Sequence, residues 1–348
     1  MSSGIRALTK IQVGKEATRG TAVAATRRVP MRQALYRRQL QQERLEGLIT
    51  GQLARVVNAP VATRHGTEFE VQDWLNFDDV LLPLLSGMKG AVTPTEPGTG
   101  ESRLWTFTPP VAGDPVPDTF TLEFEEGSPT ATAGMEAAYG FTTEIEITAT
   151  EDGLPELRYV MMARKTTDGA ATASLSAGSP AYAANSRWAV SIDGAWATLG
   201  TTPITGQVYG LTWRFSGHVR PAYYFDNRAD LDFSNYEVGI RQAELMFDVV
   251  HDPASGKLVQ TEEAARDNGT LRAVRVQLNG SAFKSPDDGL HRFIRIDGAY
   301  YHAEDSLQER GRERDGLLIT SVHLLSAYES TQAQDIQVAV QNSLASYP

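Results

Sequence analysis

Apolar side chains recur at every second position through most of this chain, and that period restricts the fold more than any other feature. Phe120, Leu122 and Phe124 alternate with Thr121, Glu123 and Glu125, and Phe141, Thr143, Ile145, Ile147 and Ala149 alternate with Thr142, Glu144, Glu146 and Thr148. Leu211, Trp213 and Phe215 follow the same rule, as do Ala243–Val249, Val274–Leu278 and Ile336–Val340. Successive side chains of a strand point to opposite faces, so each segment reads as a strand with one covered and one polar face. Antiparallel sheets carry such strands, whereas parallel sheets are covered on both faces. The expectation is a mainly β protein.

Two segments break the period. Asp73–Gly87 carries Trp74, Phe77, Leu81 and Leu84 or Leu85 on one helical stripe, with Pro83 as a kink or early stop. Ser255–Asp267 opens on a capping residue and carries Leu258, Val259 and Ala265. Tyr36–Thr50 is charged and rich in glutamine, and suits either a helix or one arm of a long hairpin. Residues 166–186 are almost all small or polar and read as a linker. Asp152-Gly153-Leu154 and Asp315-Gly316-Leu317 each precede an apolar strand, 163 residues apart, which points to two halves of one design. A length of 348 residues suits two domains, 1–165 and 187–348, each flanked by a short helix.

Sites for chemistry are hard to find. Gly14–Val23, GKEATRGTAV, has glycines around a charged turn, but Lys15 follows the first glycine and no helix follows the second, so it is no phosphate loop. The better reading is an extended segment with a turn at Gly20. Cysteine is absent, which excludes a thiol nucleophile and disulfides. The six histidines (65, 218, 251, 291, 302 and 323) show no metal-binding spacing. Ser281-Ala-Phe-Lys284 matches a nucleophile motif, but follows Asn279-Gly280, which reads as a tight turn. Asn268-Gly269 reads the same way. Glu125-Glu126 and Asp287-Asp288 lie in turn-like sequence. No catalytic residue, cofactor or metal is expected. With a net charge of −11 and no basic run, the chain is a poor grip for nucleic acid. No apolar run is long enough for a membrane span, and the first residues lack a signal-peptide core, so synthesis in a cytosol is expected.

Residues 14–30, GKEATRGTAVAATRRVP, resemble the N-terminal signature of the major tail tube proteins of long, non-contractile bacteriophage tails. Leu104–Pro109, LWTFTP, is similar to a mid-chain phrase of that family. Asp315–Ser330, DGLLITSVHLLSAYES, followed by 332–343, resembles its closing phrase, with Glu329 where Asp is usual. The matches come in family order and span nearly the whole chain.

The resemblance implies tube domains of β-sandwich or barrel type that join sideways into rings, the rings stacking into a conduit for DNA. Two tube-type domains per chain imply a trimeric ring with pseudo-sixfold symmetry, a hexamer of whole chains being the alternative. Tape measure and tail terminator proteins are the implied partners, and the virion tail the implied location. Long polar segments act as docking arms, so Tyr36–Pro60, with Tyr36, Leu45, Leu48, Ile49, Val56 and Val57, is expected to reach a neighbouring ring. Acidic faces bearing Glu68 and Glu70, or Gln242, Glu244 and Asp248, are candidates for the lumen, where DNA passes without being held. The rival readings are a carbohydrate-binding β-sandwich that stacks sugar on Trp196, Tyr223 and Tyr224, and another virion part such as a capsid decoration or tail-terminator protein.

Overall fold

The computed structural model describes residues 9–43, 60–88, 92, 94–98, 100–127, 134–169, 171–175, 178–250, 258–284, 289–308, 312–314 and 316–347. The first half contains β1 (Lys10–Lys15), β2 (Arg27–Val29), β3 (Gln33–Glu43), β4 (Val61–Trp74), α1 (Leu81–Gly87), β5 (Arg103–Phe107), β6 (Phe120–Glu125), β7 (Gly134–Ala149), β8 (Glu156–Ala163) and β9 (Thr167–Gly169). The second contains β10 (Trp188–Asp193), β11 (Pro203–Ile204), β12 (Val208–Ser216), β13 (Val219–Ala222), β14 (Asn235–Val238), β15 (Gln242–Val250), α2 (Leu258–Asp267), β16 (Arg272–Ala282), β17 (His291–His302), β18 (Arg312–Arg314), β19 (Leu317–Ser326) and β20 (Ile336–Asn342). All the pairings are antiparallel, as the alternation requires, and the protein is mainly β.

The two halves use one wiring plan. In the first, β1 pairs with β2 and β6, β3 with β4, β4 with β8, and β7 with β6, β8 and β9. In the second, β10 pairs with β11 and β16, β12 with β15, β15 with β19, and β17 with β16, β19 and β20. Each pairing has its counterpart in the same chain order, and a helix follows β4 and β15 alike. Registers match too. The spacing of 163 residues carries Met162 onto Leu325, and these face Glu68 and Glu244. Glu68 and Glu244 face Arg37 and Arg214 in turn.

The halves share one core. The sheet passes from one to the other where β12 lies along β7, Leu211 opposite Ala149 through Ser216 opposite Glu144. β5 of the first half pairs with β20 of the second. Trp213, Phe107, Phe120 and Phe69, all fully buried, belong to one apolar cluster. The C-terminal Tyr347 is buried against Phe120, and the Arg27 guanidinium lies 5.0 Å from its ring centre. Burying aromatic surface of this size is a leading stabilising contribution in any fold.

Several local expectations change. The helix expected over Asp73–Gly87 is only Leu81–Gly87, because β4 stays paired with β8 as far as Trp74 opposite Glu156. The Asn76 carboxamide oxygen then accepts the Asp78 and Asp79 N–H groups and turns the chain. Pro83 stands in the first helical turn, where the missing N–H costs no bond. α2 is Leu258–Asp267 and buries Val259 and Ala265, while the expected cap Ser255 lies outside the described residues. Gln33–Glu43 is a strand, the arm of a hairpin with β4. The polar face of β6 is not on water: Thr121, Glu123 and Glu125 are all buried. Asn279-Gly280 is no turn but lies within β16 at an irregularity, where a Cβ on Gly280 would stand 2.7 Å from the Phe77 ring. Within 166–186, β9 pairs with β7, the Thr172 N–H and hydroxyl donate to Glu123, and Phe77 N–H donates to the Ala181 carbonyl.

Candidate functional site

Gly14–Val23 is strand and turn. β1 ends at Lys15, which pairs with Asp118 at 2.8 Å. The next residue, Glu16, is buried, and its carboxylate accepts from the Gly20 and Tyr139 N–H groups and the Thr119 and Thr121 hydroxyls. Its acceptor capacity is spent inside the fold, as a buried carboxylate requires. This segment fixes the N-terminal region onto β6 and β7 and offers no cradle for phosphate.

An exposed polar face lies on the sheet that runs β3–β4–β8–β7–β12–β15–β19. Every second residue of these strands points there, and Phe69, Val71, Leu245 and Phe247 point to the core. Glu68, Glu70, Gln242, Glu244 and Asp248 all lie on this open face, Glu68 and Glu244 at equivalent positions. Arginines are interleaved with the acids. Arg37 pairs with Glu68 at 2.8 Å and Glu70 at 3.5 Å, Arg158 with Glu70 at 2.7 Å, Glu144 at 2.8 Å and Glu146 at 3.4 Å, and Arg214 with Glu144 at 2.7 Å. The ladder crosses from the first half to the second at the β7–β12 joint. Partial burial by itself would raise the Glu144 carboxyl, but hydrogen bonds from Arg214 and Arg158 hold it below its usual value. The face is therefore acid-rich but laced with arginine, rather than a bare wall of carboxylates.

Ser306, His302 and Glu262 form a hydrogen-bonded chain, Ser306 Oγ to His302 Nδ1 at 2.9 Å and His302 Nε2 to Glu262 at 3.2 Å, with all three side chains buried inside the fold. Ser321 donates to Asp248 at 2.6 Å, while His323 pairs with Asp305 at 2.7 Å, so the serine hydroxyl is turned to a carboxylate and not to the imidazole. Asp73 and Asp79 are raised by burial, and Asp79 is held by Arg27 at 2.7 Å beneath the C-terminal Tyr347. No cluster of potential metal ligands occurs among the described residues, and no described helix is long and apolar enough to cross a membrane. The three aromatics of the sugar-binding reading are dispersed. Tyr223 is tied to the His65 carbonyl and packs on Phe233, Tyr224 is exposed beside it, and Trp196 lines a different pocket, next to Leu271 and Ala299.

Of the expected docking-arm residues, Tyr36 is half-buried. Its ring stacks on Phe124 at 5.7 Å and its hydroxyl bonds with that of Thr166. It anchors β3 onto β6 within the chain. Leu45, Leu48, Ile49, Val56 and Val57 lie outside the described residues. The sequence reading missed the Arg158 and Arg214 ladder, although both arginines stand on strands whose alternation is legible. The signal was the pairing register, which no single strand reveals. Comparison with protein-family models and with curated proteins returns no match.

Proposed function

We propose that the chain is a structural subunit that joins copies of itself into rings stacked as the tail tube of a bacteriophage, through which DNA leaves the particle. The supporting observation is the twice-used wiring plan, with the sheet running on across the joint between the halves. Among the described residues, β3, the counterpart of β12, pairs with β4 alone and its other edge is unpaired. Free strand edges are a liability in a monomer and the natural joints of a closed assembly. Two halves per chain give three chains per ring with pseudo-sixfold symmetry. The arginine-laced acidic face is the lumen in this reading: Arg37, Arg158 and Arg214 are each already engaged by carboxylates, so little of their charge is left to release counterions on a phosphate backbone. The subunit would be made in the host cytoplasm and reside in the virion tail, with tape measure and terminator proteins as partners.

Negative-stain microscopy of the purified protein tests this directly. Rings or tubes with three chains per ring are expected. Six whole chains per ring would remove the pseudo-sixfold reading, and a monodisperse monomer that binds glycans would reverse the assignment.

A further inference from the structure

The joint between the halves has two parts. One is the pairing of β12 with β7. The other is a clasp, in which the β13–β14 hairpin and its connection fold back over the first half. Phe233 and Tyr236 lie against Phe141, with ring centroids 5.5 and 6.3 Å apart. The Arg164 guanidinium donates to the Phe233 and Ser234 carbonyls, both at 3.1 Å, and Lys165 N–H donates to Asp232 at 2.7 Å. His65 N–H donates to the Leu231 carbonyl. Gly217 and Gly239 make the fold-back possible: a Cβ on Gly239 would stand 2.3 Å from the Gly217 carbonyl oxygen.

Both sides of this clasp have a counterpart elsewhere in the chain, and there both are exposed among the described residues. The register that sets Arg37 at the place of Arg214 sets Gln42, opposite Ala62, at the place of Val219, opposite Val238. Gln42 and Glu43, with Val61 and Ala62, are therefore the counterparts of residues in β13–β14. Beside them Leu40 is 47% exposed, and Val61 itself is 53% exposed. On the receiving side, Leu325, Ala327 and Tyr328 take the places of Met162, Arg164 and Lys165. Tyr301, opposite Leu325, takes the place of Phe141, opposite Met162. Phe141 is 0% exposed under the clasp, whereas Tyr301 is 44% exposed. Ile240, at the place of Arg64, is 98% exposed, beside a groove of about 670 Å³ lined by Tyr328, Val111 and Asp335.

We propose that a second copy of the chain covers the Tyr301–Ile240–Tyr328 surface with the Leu40–Glu43 and Val61–Thr63 stretches of its β3 and β4, repeating between copies the clasp that β13–β14 makes within one. The contact is head-to-tail, and closes into a ring only if its rotation allows; for that closure alone it rests on the tube reading. The strand part of the joint needs more. The counterpart of β7 is interrupted after His302 by a turn at Glu304–Leu307, and that turn must straighten before β3 of the neighbour can pair there. The clasp needs no such change and is the contact that forms first.

The absence of cysteine makes the test clean. Gln42→Cys and Tyr301→Cys, introduced together, are treated with a short bismaleimide. A covalent ladder of dimers, trimers and higher species is expected, with no species beyond dimer from either single variant. Tyr301→Asp is expected to keep the wild-type circular dichroism and melting temperature and to lose at least tenfold in assembly rate. A double variant that stays uncrosslinked at concentrations where the wild type assembles, or that never forms a ladder at all, overturns the proposal. So does a Tyr301→Asp variant that assembles at the wild-type rate. Microscopy of the same samples separates this from the tube reading: a ladder without tubes keeps the clasp and removes the tube, and tubes without a ladder do the reverse.

Discussion

β7 and its counterpart in the second half follow the same pairing scheme and end differently. β7 runs unbroken from Gly134 to Ala149, whereas the counterpart stops at His302, turns through Glu304–Leu307 and resumes as the short β18. The difference lies in what flanks them. The C-terminal part of β7 is held on one side by β8 and on the other by β12. Among the described residues its counterpart has β19 on one side and no strand on the other. A strand with one partner can bend away from the ladder, and the turn is anchored when it does: Ser306 is fully buried, its hydroxyl accepts from His323 N–H and bonds with His302, and its carbonyl accepts from Arg266. Interrupting an edge strand is a known guard against unwanted pairing. The same strand is thus ordered where a neighbour exists and interrupted where none does.

The largest effect that would sharpen this comparison is a truncation on each side. Phe141→Ala removes a fully buried ring from beneath Phe233 and Tyr236 and is expected to cost about 3–5 kcal/mol in denaturant unfolding. Tyr301→Ala, at the exposed counterpart, is expected to stay within about 0.5 kcal/mol in the monomer. Equal losses would show that the two places do not differ as described.

His218 stands at the base of the clasp. Burial, aided by the nearby Arg241, pushes its pKa down from 6.5 to about 4, while Asp335 and Asp114 oppose the shift more weakly. The folded protein therefore keeps a neutral imidazole that the unfolded chain protonates more readily. Its contribution is complete above pH 6.5 and is lost as pH falls toward about 4, amounting to about 3 kcal/mol. Buried Asp73 and Asp79, raised by burial, titrate with the opposite sign, so the measurement is the difference in pH slope between wild type and His218→Gln. Parallel slopes between pH 6.5 and 4 would dismiss the imidazole as the cause.

Ser306→Ala leaves the anchors of the edge turn with fewer partners and is expected to cost about 1–2 kcal/mol. Hydrogen exchange at 303–307 should rise well before exchange in β7 does. A uniform rise throughout the sheet would mean that the turn is not a local device. The smallest effect belongs to the arginine ladder. Arg214→Ala, at the internal joint, is expected to cost about 1 kcal/mol, and Arg37→Ala, at the free edge and 54% exposed, closer to zero; both effects should shrink in high salt.

The sequence by itself determined the secondary structure class. Period-two alternation can be satisfied only by half-covered antiparallel strands, and the recurrence of Asp-Gly-Leu at a fixed spacing marked β8 and β19 as equivalents. It also placed Glu68 and Glu244 on a polar face, because side-chain direction follows from parity along a strand. It could not say what lies against that face. Tertiary structure decided that Thr121, Glu123 and Glu125 are buried and satisfied by partners as distant as Gln12 and Thr172. It decided that Asn279-Gly280 continues a strand, since Phe77 fills the space a side chain would need. It also decided that β13–β14 is folded down, because the first half lies beside it, with Phe141 under Phe233 and Tyr236. Local sequence fixes the period and direction of side chains; register and neighbours are set by contacts more than a hundred residues apart, such as Arg27 with Tyr347, and no window of sequence contains both partners.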